Sequence, residues 1–209
     1  MKLSKSLLIV MLLMVATASS FAQNGVQKDT LTYQTLGKWS STGFPEYLIK
    51  PDVYDTGFVN RIFDFLVERR SVPKTNPELL QPGSITNIRL IEDAEVFVSF
   101  VYEGAGYKNA LGFYYYDEKN PPTTAKDIAA TLTIVFPNTS LNGSGGSLST
   151  GDKVQLGSFK AGTIIGWFVV ADGFVSGTNS YVKNKNWVLY SDPSLNDFIK
   201  DTTIRQHNL

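Results

Sequence analysis

The feature that most limits what this chain can fold into is the spacing of its short apolar segments. Residues 94–102 read AEVFVSFVY, rich in β-branched and aromatic side chains. Residues 85–91 precede them. Residues 111–117 (LGFYYYD), 131–136 (TLTIVF), 153–159 (KVQLGSF), 162–171 (GTIIGWFVVA) and 187–190 (WVLY) follow. Gly, Pro, Asn or Asp punctuates each gap. Segments this short with such punctuation are strands. Many of them in succession indicate a mainly β fold, an antiparallel β-sandwich or jelly-roll, rather than a parallel α/β sheet. The segments at 96–102 and 164–170 are apolar on both faces, which predicts that both are central strands.

One stretch ahead of the β region has a different period. In residues 55–70, Phe58, Ile62, Phe65 and Leu66 recur at helical spacing, and Val59 and Phe63 widen the stripe. Asp55 is the N-cap, and Glu68, Arg69 and Arg70 form a polar end before Pro73 stops the helix. A stripe this wide is expected to cover one end of the β core. Residues 39–52 set aromatics among Gly43, Pro45 and Pro51, an irregular but packed segment. Residues 23–38 are polar and read as a mobile leader or a first edge segment.

The start of the chain bears on compartment. Lys2 and Lys5 precede an unbroken apolar run at residues 7–15, and small residues end in Ser20-Phe21-Ala22. This is the pattern of a signal peptide, with cleavage between Ala22 and Gln23. The run is too short to span roughly 30 Å of hydrocarbon. The expected organisation is therefore a signal peptide (1–22), a polar leader (23–38), a helix-containing segment (39–84) and a β-sandwich domain (85–209). No membrane span remains after cleavage, and the protein is secreted or held in the cell envelope.

Removing residues 1–22 of 209 leaves 187, enough for one self-standing core. It also takes Lys2 and Lys5, so 17 basic side chains face 19 acidic ones, a net charge of −2. So small a charge exerts no long-range pull on nucleic acid or anionic lipid. The chain has no Cys, so stability rests on packing or on a bound ion. The single His, His207, leaves no triad and no zinc site. The Gly-rich stretch at 142–151 lacks a Gly-Lys-Ser/Thr ending and precedes a strand, so it reads as a surface turn, not a phosphate loop.

Three kinds of site remain. Calcium takes oxygen ligands from loops, and Glu103, Asp152, Asp172 and Asp192 are the acids placed to supply them. Glycoside hydrolysis needs paired carboxylates, for which Glu103 with Asp117 or Asp172, all at strand ends, are the candidates. A sugar-stacking platform needs exposed rings. Tyr114, Tyr115 and Tyr116 alternate along a strand, so at least one faces outward, whereas Trp167 and Trp187 sit in apolar strands and read as core. Gly104-Ala105-Gly106 reads as a hairpin turn between the segments at 94–102 and 111–117.

Several blocks in order carry a resemblance. The run from Phe100 through Glu103-Gly-Ala-Gly106-Tyr-Lys-Asn109-Ala-Leu-Gly112 to Tyr115 is similar to a signature of LruC-type domains. Gly145-Gly146-Ser147-Leu148 with Gly151-Asp152 through Gly157, Gly162-Thr163 through Trp167, Tyr190-Ser191-Asp192, and Gln206-His207 fit as well. The match spans residues 85–209. It implies a secreted bacterial protein carrying a domain of unknown function, and brings no reaction with it. Chains of this type continue past the Gln-His strand into an acidic, Asn/Asp-rich segment suited to a metal ion. This sequence stops at Leu209, so either it is a fragment that lacks the last strands and any ion ligands they carry, or this member has no such segment. These readings together favour a non-enzymatic surface or extracellular binding module for a glycan or a surface protein. A glycosidase and a purely structural envelope or matrix component are the alternatives.

Overall fold

The computed structural model describes residues 32–65, 87–179, 182–183 and 188–196. The cleavage point at Ala22 and Gln23, the helix end beyond Phe65, Trp187 and residues 197–209 lie outside them.

The fold is mainly β and sandwich-like, with unequal sheets. The strands are β1 (Gln34–Thr35), β2 (Ile88–Arg89), β3 (Ala94–Ser99), β4 (Ala110–Asp117), β5 (Thr133–Phe136), β6 (Lys153–Phe159), β7 (Thr163–Val170) and β8 (Val188–Tyr190). Six of them form one sheet in the order β1-β5-β4-β7-β2, with β8 also on β7. β3 and β6 form a separate antiparallel ribbon. The large sheet is antiparallel except where β1 runs parallel to β5. The polar leader therefore ends in an edge strand, with the Gln34 N–H donating to the Leu132 carbonyl at 2.8 Å.

β4 and β7 make the spine, in register from Ala110↔Val170 to Asp117↔Thr163. β2 and β8 share the other side of β7, so β7 is central, as its two apolar faces predict. Period-two alternation sends β4 side chains to two cores. Ala110 and Tyr114 join Trp39, Ile134, Phe168, Phe174, Tyr190 and Leu195 on one face. Phe113 joins Phe100, Val135, Leu156 and Ile165 beneath the ribbon. Trp167 is half-buried against this second core.

Two expectations are corrected here. β3 is not central: β6 is its only strand partner among the described residues, and alternation holds along it, with Val96 and Val98 inward and Glu95 and Phe97 exposed. Residues 100–109 do not close a hairpin either. They cross from the ribbon to the large sheet, because β3 pairs with β6 and β4 with β5 and β7.

The helix, α1 (Thr56–Phe65), starts where Asp55 Oδ1 accepts from the Phe58 N–H at 2.7 Å. Its described side chains join neither core. Instead Phe58 stacks on Tyr54 at 4.7 Å and Phe63 meets Tyr102 edge-on at 4.9 Å. Among the described residues no helix is long and apolar enough to cross a membrane.

The Gly-rich stretch is more deeply engaged than a surface turn. Leu141 bridges to Leu148 and Asn142 to Gly146, and Leu148 is fully buried. A Cβ on Gly146 would lie 1.9 Å from the Ser140 carbonyl oxygen, so the close approach requires glycine.

Candidate functional site

The four acids expected to hold calcium are not brought together. Among the described residues, no three His, Cys, Asp or Glu side chains form a group that could bind a metal. Each acid serves its own loop. A Glu103 carboxylate oxygen accepts from the Ala105 N–H at 2.7 Å, and one of Asp152 from the Ser149 N–H at 2.8 Å. Asp192 caps a short 3-10 turn, accepting from the Ser194 N–H and hydroxyl. Asp172 turns the chain after β7 at φ +50°, its N–H donating to Asn109 Oδ1. For Glu103, Asp152 and Asp192 these are the Asx-turn and capping roles that acids take in loops.

The glycosidase candidates lie in the crossover and at the two ends of the spine strands. Asp172 sits beside Asn109, at the end of the crossover that carries Glu103. Asp117 closes the opposite end of β4, across from Thr163. Seven strand steps at about 3.3 Å put roughly 23 Å between Ala110 and Asp117.

The three tyrosines do not form a platform. Tyr114 is fully buried, its ring over Gly166 and its hydroxyl 3.4 Å from Ser191 Oγ. Burial pushes that hydroxyl's pKa up. Tyr116 is half-buried against the same core. Tyr115 remains, 39% exposed, on the ribbon side of the sheet. Its ring centroid lies 5.2 Å from that of Phe159, at 67°. Phe113 also meets Phe159 edge-on, at 6.1 Å.

Phe159 leads to a concavity at the end of the ribbon that several polar side chains line. A shallow cleft of about 240 Å³ opens at the end of the ribbon, lined by Asp93, Ala94, Glu95, Ser158, Phe159 and Lys160. Register builds it, since Ala94 pairs with Phe159 and Glu95 with Ser158. A β-bulge between Val96 and Phe97, opposite Gly157 at φ +141°, bends the ribbon just before this end. Val96 and Val98 point to the core, so their neighbour Ala94 and its partner Phe159 face inward while Glu95 and Ser158 face outward.

Asp93 fixes the cleft's lip. Its carboxylate accepts from Lys160 Nζ at 2.6 Å and from the Ala161 N–H at 2.9 Å. Lys160 and that N–H hold Asp93 below the usual carboxylate range, and Asp93 in turn raises Lys160. Behind the lip, Leu90 exchanges backbone hydrogen bonds with Gly162 and Thr163. Glu95 accepts from Gln155 Nε2 at 3.2 Å. Of these groups, sequence reasoning singled out Tyr115 alone. Asp93 and Lys160 lie 67 positions apart, and neither belongs to a motif.

A second polar cluster also lay beyond the sequence. Asp52 accepts from Lys153 Nζ at 2.7 Å, from Ser99 Oγ at 2.5 Å and from the Tyr54 hydroxyl at 3.3 Å. Lys153 and then Ser99 lower its pKa. Its backbone N–H bonds the Gly151 carbonyl, so its work is to fasten the segment before α1 to the ribbon. Comparison with protein-family models, curated proteins and solved structures finds no match for this chain.

Proposed function

We propose that this chain is an exported, non-enzymatic binding module of the LruC type, working at the cell envelope or outside the cell on a glycan or a surface protein. The observation that carries the reading is the cleft at the ribbon end. Its walls are strand residues held by register, with an aromatic side and a polar rim, which is the make-up of a binding site. The apolar run at residues 7–15 supports export.

Asp93 is not poised as a glycosidase acid. A glycosidase needs one carboxyl that keeps its proton near neutrality. Asp93 is pushed the other way by Lys160. Calcium is no part of the reading, because among the described residues no three acids are brought together.

The test uses the purified secreted protein. It is incubated with intact cells and isolated envelopes for retention, and with oligosaccharides for release of reducing ends. Saturable retention without turnover is expected. Turnover abolished by Glu103→Gln would replace this reading with the enzyme, and failure to be retained on any surface would replace it with a structural envelope component.

A further inference from the structure

We infer that the outer edge of β3 pairs with a second copy of this chain. The two β3 strands run antiparallel about a two-fold axis at Phe97 and join the two ribbons into one continuous sheet. The inference goes beyond the binding-module reading and does not rest on it.

The open edge is the first argument. Phe100, which continues β3, donates its N–H to the Asp152 carbonyl at 2.7 Å and accepts from the Gly151 N–H at 2.8 Å, so its backbone groups face β6. Backbone groups of successive residues in a strand point to opposite sides. The β3 register skips no residue of its own, so Val96 and Val98 face β6 as well. The N–H and C=O groups of Glu95, Phe97 and Ser99 therefore point away from β6, where no strand lies among the described residues. Val96 and Val98 are only half-buried although their side chains meet the second core, as an open flank requires. Natural edges are blunted by Lys, Pro or a bulge. β3 has neither Lys nor Pro, and the extra residue of the bulge, Leu156, belongs to β6.

Self-complementarity is the second argument, and it selects the occupant. With the axis at Phe97, that residue exchanges backbone bonds with Phe97 of the second copy, and Glu95 exchanges them with Ser99, so the whole strand is paired. On the outer face the two Phe97 rings become cross-strand neighbours. Each is 41% exposed in the single chain, with Lys153 Nζ over the ring at 5.0 Å. Glu95 meets the small Ser99, whose hydroxyl donates to an Asp52 already neutralised by Lys153. On the inner face Val96 meets Val98. An axis at Glu95 would oppose two carboxylates, which is destabilising. One at Ser99 would set Phe97 against Val101, whose carbonyl already accepts from Thr150 Oγ1. The small net charge of the chain sets up little repulsion between copies.

The strand is short, 6 residues, so the interface falls below about 1,200 Å², at the weak and transient end of the range. The dimer should therefore form as concentration rises. Sedimentation equilibrium of the full secreted chain, from roughly 10 μM to 1 mM, is expected to show a monomer–dimer equilibrium. Hydrogen exchange at the two ends of that range should show the amides of Glu95, Phe97 and Ser99 slowing about tenfold with concentration, while those of Val96 and Val98 are protected throughout. Phe97→Lys, a guard at an exposed position, should abolish the dimer and leave the melting curve unchanged. A dimer that survives this substitution would overturn the proposal, and growth past the dimer would overturn the two-fold axis. Equal protection of the three amides in the dilute monomer would mean that another part of the same chain covers the edge, which also sinks it. A monomer at every concentration would do the same, leaving an extended peptide of another protein as the edge's occupant.

Discussion

At the residue scale, two glycines decide how close the spine strands come to their own side chains. Gly112 stands opposite Phe168, and Gly166 opposite Tyr114. A Cβ at Gly112 would lie 2.2 Å from Phe168 Cζ, and one at Gly166 would lie 2.2 Å from Tyr114 Cζ. Each aromatic ring thus lies flat over the glycine across from it, covering backbone that a glycine leaves bare. Tyr114 cannot move aside, being fully buried and packed edge-on to Tyr190 at 6.1 Å. Gly166→Ala should therefore lower stability by about 1–3 kcal/mol, as overpacking does. A urea midpoint unchanged from the parent would show that the ring has room to shift. Alternation along residues 114–116 predicts from the sequence that one tyrosine faces out. It does not tell which, because that depends on which face of β4 meets the ribbon.

At the element scale, β3 and β7 look alike in sequence and end in different places. β3 is dense in Val and Phe, and β7 in Ile, Val, Phe and Trp. β7 has β4 along its full length on one side and β2 and β8 on the other. β3 has β6 alone among the described strands, with Phe97 41% exposed. Protection against hydrogen exchange follows partners and burial. Amides of β4 and β7 should exchange at the slowest rates, those of β3 and β6 faster, and those of α1, whose described side chains enter neither core, faster still. Equal protection of ribbon and spine would mean that they open as one unit. The error about β3 has a physical origin: β-branched and aromatic residues report fitness for a pleated surface, not the number of neighbouring strands. The helix start was legible because Asp55 and Phe58 are three positions apart, and capping is local.

At the scale of the whole molecule, ion pairs tie distant segments and set how stability responds to pH. Lys153 and Ser99 hold Asp52 low, Lys160 holds Asp93, and Arg89 holds Glu118 through a short contact. Backbone N–H groups of Thr123 and Thr124 do the same for Asp127. A carboxyl with a lower pKa folded than unfolded stabilises the protein above its unfolded value, and that contribution fades as pH falls through the folded value. Stability should thus be level near neutrality and decline below about pH 4. At the alkaline end the sign reverses. Burial raises the pKa of Tyr47, whose hydroxyl donates to the Val135 carbonyl at 2.8 Å, so stability should fall above about pH 10. Urea midpoints measured from pH 2 to 11 check both limbs, and Asp52→Asn should flatten the acid one. A midpoint that rises on acidification would contradict the assignment.

Taken by itself, the sequence determined what neighbours a few positions apart can enforce. The β texture, the limits of β4, β6 and β7 to within a residue or two, the start of α1 and the turn roles open to Asp152 and Asp192 are of this kind, since side-chain periodicity and capping act over at most one turn. Only the tertiary structure decided which strands pair and what their pairing brings together. It put β3 with β6, carried residues 100–109 from the ribbon across to the large sheet, and closed Asp93, Glu95, Ser158, Phe159 and Lys160 into one cleft. Those choices depend on contacts across tens of residues. Their balance of loop closure against burial is summed over the whole chain and leaves no mark on any short stretch of it.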